Sequence, residues 1–305
     1  KAKRIEAALT NDFIAGKLNF YERLGITPVS RFDPRYPPLL PYGIERPPWV
    51  LYCMGDVSLL TKTCIAVVGT RTPTAYGREA AEWFGAVLAK AGLPVVSGLA
   101  YGIDSYAHAG ALRTNGATIA VLGNGLHVHY PREHKELQRE IGRRGLVISE
   151  FSLNAKPTEK TFPRRNRLIA GIARATVVVE AAVQSGSLHT AGIARNAGRD
   201  VFAVPGPVTS PKSAGTLGLL RDGALLAASP ADVLAEYGIA PPAAASGERQ
   251  DLTAEERELL GAMGGEAVTM DDLIARTGRS FGHLHTVLLS LLVKRRVRTL
   301  SGSRY

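Results

Sequence analysis

The chain has 305 residues, 45% of them hydrophobic, and its 37 basic and 27 acidic side chains give a formal net charge of +10. That length accommodates one sizeable α/β domain and one or two small ones. No apolar run approaches the roughly 18 residues of a membrane span and no signal-peptide pattern opens the sequence, so we expect no membrane partner.

The first part of the chain predicts a small helical region followed by an irregular one. Residues 5–17 are expected to form a helix, within a partial helical region that covers residues 1–30. Residues 31–56 are rich in proline and predict an extended run across the main domain.

The middle of the chain alternates short β-branched runs with helix-like stretches. Strands buried on both faces read as continuous apolar runs, and their alternation with helices indicates parallel βα units. Seven such runs predict one open, doubly wound parallel sheet, an α/β fold over residues 31–240. They begin at Ile65, Pro94, Thr118, Leu146, Thr176, Val201 and Ala224.

Small-residue turns follow the predicted strands, where the ligand crevice of a doubly wound sheet lies. None is a GxGxxG fingerprint or a Walker loop. The first turn instead places Arg71 two residues after Gly69, where a guanidinium can fork onto phosphate oxygens. The alternative is a surface arginine paired with the next helix.

A cation cluster with one aromatic occupies residues 160–167, with the sequence KTFPRRNR. Residues 139–174 hold 9 basic and 3 acidic side chains, so +6 of the total charge of +10 lies in this segment. Cations beside an aromatic suit a nucleic-acid backbone with an unstacked base, and the Ser/Gly turn at residues 185–190 suits a phosphate. The alternative is a solvated helical face, although an Arg-Arg-x-Arg run beside Phe162 and Pro163 is not expected on one.

The residues give a weak case for catalysis. Asp104 and His108 resemble part of a triad, but no GxSxG elbow accompanies them, and Asp104 is expected to cap a helix. Glu150 and Glu180 are the best acid candidates because each ends a strand at the crevice, yet they could equally orient neighbouring arginines. The histidines have no companion ligands at metal-binding spacing. We expect no catalytic residue, no metal and no cofactor.

The C-terminal part of the chain predicts a separate module. Residues 241–250 read as a linker, and residues 251–305 as a winged-helix-like domain. Its elements are expected to be helices at residues 253–263, 270–277 and 280–292, and a hairpin from residues 296–300 and 303–305. The third helix carries no Lys or Arg, which argues against readout of duplex DNA.

Collinear motifs over about residues 36–236 resemble the DNA-processing protein A family, also called DprA or Smf. They are VGTR at residues 68–71, SGLAYGID at 97–104, YP at 130–131, FPRRNRLIAG at 162–171, SGSLHTA at 185–191 and VFAVPG at 201–206. The resemblance implies an extended Rossmann-like fold, a sterile-alpha-motif-like N-terminal region and a winged helix. It also implies a homodimer without enzymatic activity that binds single-stranded DNA and helps to load the RecA recombinase in competence and natural transformation. The sequence departs from the family at Tyr101, where many relatives carry a cation, and at residues 123–127.

Motifs and resemblance together predict the function and the site. The chain is expected to be a single-stranded DNA-binding recombination protein. A cytoplasmic location is expected because Cys53 and Cys64 form no CxxC pair or disulfide framework. The alternative is a nucleotide-processing enzyme of the phosphoribohydrolase-like Rossmann type, although residues 184–190 lack the glycines of that turn. The expected DNA-binding residues are Gly69, Thr70, Arg71, Gly98, Lys160, Phe162, Arg164, Arg165, Asn166, Arg167, Ser185, Gly186, Ser187 and Thr190.

Overall fold

A computed structural model of the chain describes residues 11–242, 253–264, 267–293, 297–298 and 305. The chain divides into two compact units, Lys1–Pro241 and Pro242–Tyr305. Residues 5–10 of the first predicted helix lie outside the described residues, as does most of the predicted C-terminal hairpin.

The first unit is built on a sheet of nine strands. These are β1 (Thr27–Ser30), β2 (Val50–Gly55), β3 (Ile65–Val68), β4 (Val95–Ser97), β5 (Thr118–Val121), β6 (Leu146–Ser149), β7 (Ala175–Val178), β8 (Asp200–Ala203) and β9 (Leu225–Leu226). Their order across the sheet is β1-β2-β6-β5-β4-β3-β7-β8-β9. The seven strands from β3 to β9 run parallel, which confirms the predicted doubly wound sheet.

Helices connect these strands and form the second unit. In chain order they are α1 (Asn11–Arg23), α2 (Leu40–Gly43), α3 (Ala75–Lys90), α4 (Ile103–Arg113), α5 (Lys135–Arg144), α6 (Thr161–Ile172), α7 (Gly186–Asn196), α8 (Ala214–Arg221), α9 (Pro230–Glu236), α10 (Ala254–Met263), α11 (Met270–Thr277) and α12 (Phe281–Val293). Short 3₁₀ turns occupy Val57–Thr61 and Arg132–His134.

Two strands at one edge of the sheet were not predicted. β1 pairs antiparallel with β2, and β2 pairs antiparallel with β6. The expectation that residues 31–56 run extended across the main domain was therefore wrong in part, because they contain α2 and all of β2. The apolar run of β2 begins directly after Pro47, Pro48 and Trp49, and prolines are typical of turns and loops, so the sequence did not indicate a strand there.

The central strands are buried on both faces, which explains their continuous apolar sequences. Along β3, Ala66 and Val68 pack into the core on one face, and Ile65 and Val67 pack into the core on the other. None of the four is more than 3% exposed. A strand between two hydrophobic layers has no polar face, so its sequence shows no alternation.

The strand order places a topological switch point beside β3. The chain runs outward from β3 through β4 and β5 to β6, and α6 then brings it back to β7 on the other side of β3. In doubly wound sheets the ligand crevice lies beyond the carboxyl ends of the strands at such a point. The loops after β3 and β7 therefore define the expected position of a site.

The second unit contains the three helices that the sequence predicted. Thr253 and Thr269 begin α10 and α11 with capping boxes, each accepting a hydrogen bond from the helix backbone three residues later. Leu273, Leu284 and Leu288 are buried in its own small core. This unit thus has a hydrophobic centre independent of the sheet.

Candidate nucleic-acid interface

A crevice of about 280 Å³ lies at the switch point of the sheet. The loops after β3 and β4, the first half of α6 and the start of α7 contribute its walls. Its lining residues are Val68, Gly69, Arg71, Ala100, Asp104, Phe162, Arg165, Asn166, Ile169, Ser185, Gly186, Ser187 and Thr190. The two sequence motifs that predicted a polyanion site therefore lie on the same cavity.

Arg71 is the exposed cation of this crevice. Its guanidinium carbon lies 5.4 Å from the centroid of the Phe162 ring, a cation–π distance. Within the described part of the chain it makes no ion pair with a carboxylate, so the alternative of a salt bridge to the next helix is not seen. An unneutralised guanidinium at the mouth of a cavity is suited to a phosphate oxygen.

The Phe162 ring is supported on one side and half-buried. A Cβ on Gly123 would lie 2.9 Å from the ring edge, so the glycine allows the ring to pack against the backbone there. The Tyr130 ring lies 5.3 Å away at an interplanar angle of 34°. The sequence reasoning did not assign Tyr130 to the site, although its Tyr-Pro pair was one of the family motifs. The two rings form a small aromatic platform beside Arg71.

The start of α7 turns its N-terminus toward the same crevice. Ser185 caps the helix, its Oγ accepting from the Ser187 N–H at 3.4 Å and lying 2.8 Å from the Ser187 Oγ. A Cβ on Gly186 would meet no atom within 4 Å, so the backbone is open to an approaching group. Thr190, one turn later, is buried and lines the cavity wall. A helix N-terminus of this kind favours an anion.

Arg165 is the buried arginine of this crevice. Only 4% of the residue is exposed, and its Nη1 donates to the Gly98 carbonyl and, at 2.7 Å, to the Val121 carbonyl. Burial lowers the pKa of this guanidinium to about 10, although nearby Asp104 opposes the shift. Arg165 lines the crevice while its Nη1 joins the carboxyl ends of β4 and β5, and its contact with DNA stays a prediction.

The glycines and Thr70 of the predicted set have backbone roles. A Cβ on Gly98 would lie 2.4 Å from the Arg165 Nη1, so a glycine is required there by the arginine. A Cβ on Gly69 would lie 2.6 Å from Ile103. The Thr70 N–H donates to the Glu180 carbonyl at 2.7 Å. Gly69 and Thr70 thus fix the loop that presents Arg71, whereas Gly98 makes room for Arg165.

Three further predicted cations lie on or beside α6. The expectation that Arg-Arg-x-Arg would not occupy a helix was wrong, because Pro163 falls in the first turn, where the missing N–H costs no hydrogen bond. Lys160 is exposed at the helix start. Arg164, 60% exposed, and Arg167, 15% exposed, both pair with Glu150. These last two guanidiniums are thus partly neutralised.

Two acids near the crevice are committed to structural hydrogen bonds. The sequence predicted Asp104 as the cap of α4, but Gly102 occupies that position. The Asp104 carboxylate instead accepts a hydrogen bond from the Gly98 N–H at 3.0 Å. Burial raises the pKa of Asp104, and the charge of Arg165 opposes that shift. Glu180 accepts from the Thr74 backbone N–H at 2.9 Å and from its hydroxyl at 2.6 Å.

The histidines considered for catalysis are not assembled with a nucleophile. His108 is fully buried, and its Nδ1 lies 2.7 Å from the Thr118 Oγ1. Burial lowers the pKa of His108 to about 3, so the ring is neutral at physiological pH. His189 is exposed on α7. Among the residues that the structure describes, no group of three or more His, Cys, Asp or Glu side chains could hold a metal ion.

Asn166 and Tyr101 complete the surroundings of the crevice. Asn166 lines it and accepts from the Arg165 Nε at 3.1 Å. Tyr101, the expected departure from the family, donates to Glu133 at 2.5 Å and packs edge-on against His134. Its hydroxyl is therefore already engaged by a carboxylate.

The doubly wound sheet defines a Rossmann-like protein. Its switch-point crevice combines a guanidinium, an aromatic ring and a helix N-terminus, which together suit a phosphate and an aromatic base. Among the described residues no helix is long and apolar enough to cross a membrane.

The chain belongs to the family of DNA recombination-mediator protein A, whose model matches residues 27–238, and a DprA winged helix domain matches residues 240–303. It is 40% identical to protein Smf of Escherichia coli over 265 residues, covering 84% of this chain and 71% of that one. This membership confirms the predicted resemblance and winged helix. It does not favour the phosphoribohydrolase-like alternative.

Two solved structures are similar to this fold. DNA processing protein A from Streptococcus pneumoniae matches with a TM-score of 0.67 and 43% identity, over 69% of this chain and 74% of that one. The Helicobacter pylori protein, whose single-stranded DNA binding mode has been described structurally, matches with a TM-score of 0.62 and 30% identity. That match covers 70% of this chain and 95% of the other.

Proposed function

We propose that this chain binds single-stranded DNA in the switch-point crevice and acts as a recombination mediator. The observation that carries the proposal is the stack of Arg71 on Phe162, opposite the open N-terminus of α7. Arg71 and the helix N–H groups supply phosphate contacts, and the ring supplies a face for a base. A relative from Helicobacter pylori also binds single-stranded DNA.

The crevice favours a single strand over a duplex for a geometric reason. A volume of about 280 Å³ accommodates one backbone with a base turned onto Phe162. A duplex keeps its bases stacked and paired, so it would present only phosphates to the mouth of the crevice. Stacking tolerates every base, and we therefore expect little dependence on sequence.

The proposed activity involves no covalent chemistry. The acid candidates are engaged, Glu150 with Arg164 and Arg167, and Glu180 with Thr74. His108 is buried and hydrogen-bonded to Thr118. A general acid or base must reach the proton that it transfers, and these groups are already occupied. We therefore propose that the strand is bound and positioned without being chemically changed.

The wider biological role rests on the family. We propose that the protein works as a homodimer in the cytoplasm, protects incoming single strands and helps to load RecA during natural transformation. The family description of a recombination mediator supports this role. Cys53 and Cys64 are both free and buried, which suits a reducing compartment.

An equilibrium binding comparison tests the central part of this proposal. Labelled oligo-dT and a blunt duplex of the same length are titrated with protein at one salt concentration, and we expect clear preference for the single strand. Equal affinities would contradict the proposal. A parallel incubation with nucleoside monophosphates covers the enzymatic alternative, since release of free base would support a phosphoribohydrolase.

A further inference from the structure

A second arrangement of arginine and aromatic rings lies outside the crevice. We call Arg31, Phe32 and Trp49 the edge aromatic group. The two rings have centroids 6.1 Å apart at an angle of 44°, and the Arg31 guanidinium carbon lies 5.6 Å from the Trp49 centroid. The geometry repeats that of Arg71 and Phe162, where the corresponding distance is 5.4 Å.

Packing of the fold does not account for the exposure of these rings. Phe32 is 84% exposed and Trp49 is 66% exposed. The local structure is held by the main chain, because the Arg31 N–H donates to the Trp49 carbonyl at 2.8 Å. Scattered single apolar residues on a surface need no explanation, but two adjacent large aromatics with a stacked guanidinium suggest a binding role.

The group lies at the same edge of the sheet as the crevice. Ser30 pairs with Val50, and Tyr52 pairs with Ser149 at the carboxyl end of β6, so Trp49 projects beyond the carboxyl ends of the parallel strands. Four strand spacings separate β2 from β3 in the sheet order. At about 4.8 Å each, the start of β2 and the end of β3 lie roughly 19 Å apart along this edge.

Cationic and aromatic side chains continue between the two positions. Arg164 lies with its guanidinium carbon 5.3 Å from the centroid of the Phe151 ring. Burial raises the pKa of Tyr36 to about 12, and the charges of Arg31 and Arg167 oppose that shift. A strand leaving the crevice along α6 would therefore meet positive charge before it reached Trp49.

The acidic residue nearest in sequence does not cancel the charge of Arg31. Asp33 is paired with Arg35 at 2.7 Å, and that side-chain hydrogen bond holds the pKa of Asp33 below its ordinary value. Arg31 is left with the Trp49 face as its described side-chain partner. A cation stacked on an exposed ring suits a polyanion that carries aromatic bases better than it suits an apolar protein surface.

We infer that the edge aromatic group is a second stacking point for the DNA strand held in the crevice, engaged only when the strand is long enough to reach it. This inference rests on the proposed function. A base would stack on Trp49 or Phe32 while Arg31 contacts a phosphate. At roughly 3.4 Å per stacked nucleotide, about six nucleotides would span the separation, and fewer would do so when extended.

Tryptophan fluorescence provides a direct test, because the chain has two tryptophans, Trp49 and Trp83. Trp83→Phe leaves Trp49 as the reporter, and Trp49→Phe leaves Trp83 on α3 as the matched control. Oligo-dT of about 16 nucleotides should quench Trp49 emission and leave Trp83 emission unchanged, and oligo-dT of about 3 nucleotides, too short to reach Trp49 from the crevice, should quench neither. Unchanged Trp49 emission with saturating long oligonucleotide would overturn the inference.

Affinity separates this inference from the proposed function. Trp49→Ala should weaken binding of the long oligonucleotide about fivefold or more and leave the short one unchanged, because one stacked base is lost. If Arg71→Ala weakens binding of the long oligonucleotide and Trp49→Ala does not, the inference is overturned while the proposed function stands. The edge aromatic group would then fit a protein partner. No binding of either oligonucleotide by the unmodified chain would overturn both.

Discussion

Arg71 and Phe162, 91 positions apart in the chain, meet with the guanidinium carbon 5.4 Å from the ring centroid. The contact joins the loop after β3 to the first turn of α6 across the switch point of the sheet. It combines in one place the charge that a phosphate needs and the flat apolar surface that a base needs. The predictions below separate these two contributions.

Replacing Arg71 by Ala should weaken binding of every single-stranded sequence alike. The lost phosphate contact should also lower the slope of log K against log salt by about 0.7. Titrations of labelled oligo-dT and oligo-dA at four salt concentrations measure both effects. Arg221→Ala is the matched control, because this 84% exposed arginine ends α8 at the opposite edge of the sheet. Equal slopes for the two variants would exclude Arg71 from phosphate binding.

Replacing Phe162 by Ala should reduce affinity by about 1–3 kcal/mol with almost no change in the salt slope, because stacking rather than charge is removed. The control is Phe281→Ala, which removes a 59% exposed ring from the second unit. Thermal denaturation of both variants shows whether the fold is retained. Wild-type affinity of a folded Phe162→Ala protein would mean that the ring only packs against Gly123 and Tyr130.

Arg165→Met should destabilise the fold, by about 3–5 kcal/mol, since removing one charge leaves buried Asp104 without its compensating neighbour. Chemical denaturation measures the free energy of unfolding, and Arg164→Met serves as the exposed control from the next position. If the two variants are equally stable, the guanidinium of Arg165 does not hold the loops and remains available to DNA.

His108 should make the free energy of unfolding fall as the pH falls. Its folded pKa is lowered to about 3, whereas the unfolded chain takes up the proton near 6.5, so the stabilisation is complete above about pH 6.5 and is lost between about 6.5 and 3. His108→Gln should reduce the slope between pH 6 and 4 by about 1.4 kcal/mol per pH unit. Denaturant titrations across this range measure it, and an unchanged slope would show that His108 is protonated in the folded state.

Removing the second unit after residue 241 should leave binding of a short oligonucleotide within a few-fold of the full chain. The crevice residues all lie in the first unit, and each unit has its own hydrophobic core. Loss of tenfold or more, about 1.4 kcal/mol, would move the main DNA site into the winged-helix domain. Circular dichroism of the truncated chain confirms that it is folded.

The sequence predicted the parallel sheet because its strands are buried on both faces and read as uninterrupted apolar runs. The edge strands β1 and β2 escaped prediction, because β1 (TPVS) contains a proline and buries only Val29, and prolines directly precede the apolar run of β2. The position of the crevice followed from the general rule that ligands bind at the carboxyl ends of parallel strands. Strand order itself, and hence the switch point, could not be read from the chain.

The roles of single residues within the site were harder to predict. Arg164 and Arg165 are adjacent and chemically identical, yet one is exposed and the other is buried against the Gly98 and Val121 carbonyls. On a helix, consecutive side chains point about 100° apart, so which one faces the core depends on the phase of α6. That phase is set by tertiary packing rather than by the local sequence.

Mapping a photo-crosslink between the protein and oligo-dT tests the central claim most directly. A short oligo-dT with one photoreactive thymine is irradiated with the full chain, and the modified peptides are identified by mass spectrometry. The account predicts adducts on the peptides that carry Phe162 and residues 185–190, and their loss in the Arg71→Ala protein at the same concentration. Adducts confined to residues 253–305, or unaffected by Arg71→Ala, would contradict it.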